Sequence, residues 1–380
     1  MVCFNSFNKA GGINHETCAI ANYCLVGTFK TVQIMKFSIL ILGIFLIVSC
    51  QTHQQKDSDS YNDLKSEIDS ILINSSFNGV VLLTKDTARI YSKAVGYSDI
   101  ENKIPIKLDD QFVIGSISKQ ITAVLILREY ENGKIKLDDK INQYVSDIDQ
   151  AWVKEVTIHQ LLTHTHGIVA INKPLEFKQG SRFHYSQLGY ELLANILEKV
   201  TSKTFNELST ELFNKYGLTH TFHPDNKEFK NLVKGYRETE NGKLKYCSNS
   251  LFNYVPAGSF ISSVEDLNRW NQFLHSGKLV KKESLELMKT KFATRIHPIF
   301  GTVEYGYGLL FKDGEENIQI GALGYAPGFV SACYYYPQSK LNVSVLQNTA
   351  TNLDDFKKTF KVHTELMELI KKQTPNILNK

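Results

Sequence analysis

The chain has no excess of either charge. Its 43 Lys and Arg stand against 39 Asp and Glu over 380 residues, a formal net charge of +4. Lysines and carboxylates are interspersed, without the basic stripe that nucleic acid requires, so nucleic acid is not expected as a partner. No apolar run reaches the roughly 20 residues that cross a bilayer as a helix. Cysteine is scarce at six, and Cys3, Cys18 and Cys24 crowd the extreme N-terminus. Beyond Cys50 only Cys247 and Cys333 remain. Their isolation excludes a zinc pattern and leaves a disulfide between them open. There is no internal repeat and no low-complexity block. The apolar and charged fractions, 42% and 22%, are those of a globular protein long enough for two domains or one domain with a large insertion.

The N-terminal region reads as a targeting segment. Met35–Lys36 precedes an apolar run from Phe37 to Val48, followed by Ser49–Cys50. That length suits a signal-peptide core better than a membrane span. Ile47–Val48–Ser49–Cys50 resembles a bacterial lipobox, with Cys50 as the lipidated residue. Residues 1–34 then lie upstream of the natural start, 35–49 form the signal and 50–61 a polar tether. A signal-anchor helix with Cys50 incidental is the alternative.

Further along, the spacing predicts an amphipathic helix over Leu64–Ile73 and two strands, Gly79–Thr84 and Ala88–Val95, around the turn Lys85–Asp86–Thr87. Helical patterns follow at Ile158–Thr163, Leu188–Val200, Phe205–Tyr216 and Val264–Leu274. The period then changes: Ile318–Gly321, Phe329–Tyr336 and Leu341–Leu346 read as strands, with a closing helix over Leu353–Lys371. Strands at both ends with helices between them predict an α+β fold. One antiparallel sheet is built from both chain ends and flanked by terminal helices, with a mainly helical subdomain of about 117–275 inserted in a domain of 62–375.

Within Gly115–Ser116–Ile117–Ser118–Lys119 a serine and a lysine stand three residues apart at the opening of the apolar run Ala123–Leu127. On a helix such residues share a face. A desolvated lysine is a base able to take a serine's proton and make it a nucleophile. Spacing alone is weak, since Ser6–Lys9 repeats it, and a helix start capped by Ser116 or Ser118 is the plain reading.

Neighbouring stretches change the balance. Glu131–Asn132–Gly133–Lys134–Ile135 follows the Ser116 helix; then come Thr157–Ile158–His159–Gln160–Leu161–Leu162–Thr163–His164–Thr165–His166–Gly167, Phe183–His184–Tyr185–Ser186–Gln187, Ala257–Gly258–Ser259, Tyr305–Gly306–Tyr307–Gly308 and Pro327–Gly328–Phe329. In this order they resemble the serine β-lactamase-like family of class C β-lactamases, D-alanyl-D-alanine peptidases and related esterases, over about 62 to 372. The resemblance implies Ser116 as the acylated nucleophile, Lys119 as its partner and Tyr185 as a proton relay. The amides of Ser116 and Tyr325 would form an oxyanion hole, with Gly324 admitting the substrate. Tyr130–Glu131–Asn132 repeats the family's Tyr-x-Asn pattern but belongs to the turn after the nucleophile helix.

Two positions depart from the family. Gln187 replaces the usual asparagine and is expected to orient Lys119 or a substrate carbonyl. Ala322–Leu323–Gly324 falls where relatives carry Lys-Thr-Gly or His-x-Gly, so the cation that holds a substrate carboxylate is missing there. Recognition of β-lactams and free D-Ala carboxylates is expected to weaken. The expectation is therefore a lipid-anchored cell-envelope serine hydrolase of small esters or peptide-like amides, without metal or cofactor and of open oligomeric state. The alternative is a non-catalytic protein of the same fold that binds a cell-wall or peptide ligand. His164 and His166 read as structural, His220 and His223 as surface residues, Tyr334–Tyr335–Tyr336 as sheet packing, Tyr325 as either filler or substrate contact, and Trp152 and Trp270 as helix anchors.

Overall fold

A computed structural model describes residues 61–378 apart from 228, 249–250, 252 and 313–319. The signal, lipobox and Cys50 readings lie outside the described residues. No helix among the described residues is long and apolar enough to cross a membrane.

The central element is an eight-stranded sheet. Its strands are β1 (Gly79–Lys85), β2 (Ala88–Val95), β3 (Ala293–His297), β4 (Gly301–Tyr305), β5 (Leu310–Lys312), β6 (Ile320–Ala326), β7 (Phe329–Tyr336) and β8 (Leu341–Gln347). They lie in the order β2-β1-β8-β7-β6-β5-β4-β3. The two chain ends meet where β1 pairs antiparallel with β8, Gly79 opposite Gln347 and Lys85 opposite Leu341, as the α+β reading expects.

β1 reads as a continuous apolar run because both its faces are covered. Val80 and Leu82 point into one core with Ile121 and Val124, whereas Val81 and Leu83 point into a second with Leu64, Ile68, Leu366 and Ile370. A strand between two packed layers cannot alternate apolar with polar. The second core is closed by α1 (residues 61–73) and by the C-terminal helix Lys361–Leu378. A short turn of helix, Phe356–Thr359, precedes that last helix where a single helix from Leu353 is expected.

The first core belongs to the helical segment. α2 (Ser118–Glu131) is buried from Ser118 to Leu127, so its apolar residues run all round instead of forming a stripe. Around it pack α3 (Leu188–Thr201), α4 (Phe205–Lys215) and α5 (Val264–His275). A short strand, Gln111–Val113, pairs with Ile261–Ser263 and delivers the chain to the turn that holds Ser116. This segment also carries the small strands Tyr236–Glu238 and Leu244–Tyr246. Neither these nor the hairpin of β3 and β4 is anticipated from the sequence pattern.

Candidate active site

Ser116 sits in a tight turn, Gly115–Ile117, immediately before α2. Gly115 has φ +55°, and a Cβ there would come 2.5 Å from the Tyr325 amide nitrogen. Glycine therefore meets two demands at once, a left-handed backbone and close approach to β6. From the other side, a Cβ on Gly324 would lie 2.1 Å from the Ile114 carbonyl oxygen. Ser331 of β7 clamps the junction by donating to that same oxygen at 2.8 Å.

Lys119, on the first turn of α2, is 1% exposed. Its Nζ donates to the Ala257 carbonyl at 2.7 Å and reaches Ser116 Oγ at 3.4 Å. It lies 4.6 Å from the Tyr185 ring centre and 5.4 Å from that of Tyr190. Among the described residues no carboxylate forms an ion pair with it. Tyr185 completes the cluster, its hydroxyl donating to Ser116 Oγ at 2.7 Å. The neighbouring serine and lysine and the distant tyrosine, 69 residues on, thus meet at one oxygen.

Behind Tyr185 stands His164, fully buried with φ +59° and its ring centre 4.6 Å from the tyrosine's. Burial pushes its pKa well below the usual 6.5, and the charges of Lys119 and Arg295 act in the same direction. Its Nδ1 accepts from the Ser186 amide at 3.2 Å, which leaves Nε2–H to face the Tyr305 hydroxyl at 3.2 Å. The neutral ring is a wedge that fixes the Tyr185 loop, in keeping with a structural role. His166 is likewise buried, at about pKa 4, and its Nδ1 accepts from the Ile168 amide.

Ser116, Lys119 and Tyr185 open onto a cavity of about 260 Å³ whose wall includes Gln187, Ala322 and Tyr325. Gln187 is exposed, and no hydrogen bond links its amide to Lys119 among the described residues. The expectation that Gln187 orients the lysine is corrected: the Ala257 carbonyl holds Lys119, whereas Gln187, at the N-cap of α3, makes no hydrogen bond to it and lines the cavity. Tyr325 is half-buried, its ring edge-on to Phe356 at 5.7 Å. The sequence reading missed Arg295 on β3, which lies 5.2 Å from the Tyr185 ring centre and lines the cavity.

Other readings also change. His223 is 5% exposed, wedged against Phe205 and Phe260, so it is not a surface residue. Cys247 and Cys333 are both free thiols. Trp270 anchors α5 to α2 through Nε1 and Gln120 Oε1 at 3.2 Å, and Trp152 donates to the Lys173 carbonyl. Among the described residues no three His, Cys, Asp or Glu side chains gather to hold a metal.

Comparison with known proteins places the chain among related folds and sequences. A teichoic acid D-alanine hydrolase of Staphylococcus aureus (strain MRSA252) is 26% identical over 277 residues, 68% of each chain. The penicillin-binding protein homologue from Pyrococcus abyssi, an octamer, is 26% identical with a TM-score of 0.65, over 76% of this chain and 73% of that one. D-amino acid amidase from Ochrobactrum anthropi SV3 shares the fold at 20% identity, with a TM-score of 0.71 over 83% of this chain and 99% of that one. The Beta-lactamase family model matches residues 67–367, and the chain therefore belongs to the Beta-lactamase family.

Proposed function

We propose that this serine hydrolase works through an acyl-enzyme formed on Ser116, with an ester or peptide-like amide of a D-amino acid as substrate class. The observation that carries the reading is the convergence of Lys119 Nζ and the Tyr185 hydroxyl on Ser116 Oγ, at 3.4 and 2.7 Å. Whichever of the two has given up its proton can take the serine's as Oγ attacks the carbonyl carbon. The negative charge that builds on the carbonyl oxygen falls between the amides of Ser116 and Tyr325. The carbonyl–leaving-group bond then breaks, with the proton passed through Tyr185 to the departing oxygen or nitrogen. Water, deprotonated by the same pair, releases the acid and restores Ser116. Lys119 is held in place by the Ala257 carbonyl throughout.

The relative named as a teichoic acid D-alanine hydrolase supports a D-alanyl ester and a place at the cell envelope. Lipidation of Cys50 would supply the anchor. Mass spectrometry of the protein after an activated ester, a fluorophosphonate and a penicillin tests the mechanism. The expected result is an adduct on Ser116 from the ester and fluorophosphonate that Ser116→Ala loses. A folded protein that none of the three labels overturns it. Matched D- and L-alanyl esters test the substrate class, with D-alanine released faster. Equal rates reject that part. Palmitate labelling abolished by Cys50→Ala tests the anchor.

A further inference from the structure

β3 is built inside out. Ile296 is 76% exposed, while its neighbours Arg295 and His297 turn to the cavity wall. A strand at a sheet edge ordinarily does the reverse, burying the isoleucine and hydrating the arginine. The inversion leaves a guanidinium half-buried over two aromatic faces, 5.3 Å from the Phe183 ring centre and 5.2 Å from that of Tyr185. Its burial depresses the Arg295 pKa below the usual range, a sign that desolvation is not offset.

Among the described residues no ion pair or hydrogen bond engages the Arg295 guanidinium, and no Asp or Glu contributes to the wall of the cavity. Glu304, on the adjacent strand, is taken by Lys291 at 2.5 Å. The remaining titratable groups of the wall are Lys119, His297, Tyr185, Tyr305 and Tyr325. Burial keeps His297 neutral at about pKa 4, so it adds no charge beside the Arg295 guanidinium. The rest of it is largely apolar, with Ile299, Leu310 and Phe360 among the contributors.

We infer that Arg295 is the anion-recognising residue of the substrate cavity, reading a carboxylate or phosphate group of the substrate one tyrosine ring away from Ser116. The cation missing at Ala322 of β6 is supplied from β3, so the site selects anionic substrates by a different strand. Ala322 leaves room for this, since it lines the same cavity without charge. A guanidinium suits the task because its planar donors meet two oxygens of a carboxylate or phosphate together. This assignment rests on Ser116 being the acylation centre.

Three matched esters, ending in a carboxylate, a phosphate monoester or a neutral amide, provide the test. For the wild-type protein kcat/KM is expected to favour an anionic ester over the neutral one about ten- to a hundredfold. That preference should shrink as salt is raised, because the group is only half-buried. The carboxylate and phosphate arms tell the two anions apart. Arg295→Met should collapse the anionic-to-neutral ratio, and Arg295→Lys should restore part of it. A wild type without the preference, or a ratio unchanged in Arg295→Met, overturns the assignment. A loss equal for all three esters assigns Arg295 to holding Tyr185 instead. To separate this from failure of the acylation mechanism, calorimetric binding of the hydrolysed carboxylate is measured on Ser116→Ala and on Ser116→Ala/Arg295→Met. Binding that only the first protein shows supports the anion site even without turnover, and equal binding rejects it.

Discussion

Two glycines let the nucleophile turn and β6 approach each other. At Gly324 even a methyl group would lie 2.1 Å from the Ile114 carbonyl oxygen and 2.3 Å from Ser331 Oγ. Gly324→Ala must therefore push β6 away from Ser116, at a cost of about 1–3 kcal/mol for overpacking. Its kcat/KM is expected to fall about a hundredfold or more, since misplacement on the order of 1 Å disables a positioned site. Steady-state kinetics together with thermal unfolding check both effects. Glu191, on the first turn of α3, makes a different residue-level prediction. Burial raises its pKa to about 7, against the opposing pull of Lys119. The folded protein thus holds a proton that the unfolded chain has released, and this contribution to stability is lost as pH rises from about 4.5 through 7. Glu191→Gln cannot ionise, so relative to the wild type it should be more stable at pH 8 than at pH 5. Urea unfolding at the two pH values measures the difference.

The elements around the site are tied together by buried polar contacts. Thr122 Oγ1, fully buried in α2, donates to the Pro256 carbonyl at 2.7 Å. It thereby fixes the short helix Val255–Gly258, whose Ala257 carbonyl holds Lys119. Thr122→Val keeps the shape but leaves the Pro256 carbonyl unsatisfied, at a cost of about 1–3 kcal/mol. We expect the urea midpoint to drop and kcat to fall while KM changes little, because Lys119 loses its placement and the cavity wall stays intact. A loss in KM alone would reject the linkage. The helices α3 to α5 are legible in sequence because their apolar periods and terminal residues agree with their burial. Thr204 capping α4 through the Glu207 amide is one such signal. The β3 and β4 hairpin is not legible, because Ile296 outside and Arg295 inside invert the pattern by which a strand is recognised.

Taken as one body, the protein buries neutral histidines in both of its main cores. His166, His223 and His363 are each depressed to about pKa 4 and His275 to about 3, and the partly exposed His297 of the cavity wall also to about 4, in every case chiefly by desolvation. Their folded values lie below the unfolded 6.5, so the unfolded chain binds protons first as pH falls. Their stabilising contribution is complete above about pH 6.5 and is lost as pH drops toward 4, at about 1.4 kcal/mol per pKa unit for a fully buried ring. Glu191, Asp110 and Asp266, all raised by burial, act in the opposite sense but are fewer. Stability from urea unfolding should therefore decline from pH 7 to pH 5. His363→Phe should flatten that slope, since the ring lies between Phe77 and Phe360 and the replacement cannot ionise. An unchanged slope would contradict the assignment. The fold class and the pairing of the two chain ends were readable beforehand, because they depend on local periodicity that the chain carries without reference to its partners. The Ser116, Lys119 and Tyr185 set was implied only by the resemblance of ordered short motifs to a known family, since the Ser–Lys spacing by itself fits a capped helix start. The Ala257 carbonyl on Lys119, the exposed Gln187, the buried His223 and above all Arg295 were not readable. Their roles follow from which backbone and which aromatic faces surround them, and only packing between distant segments sets that.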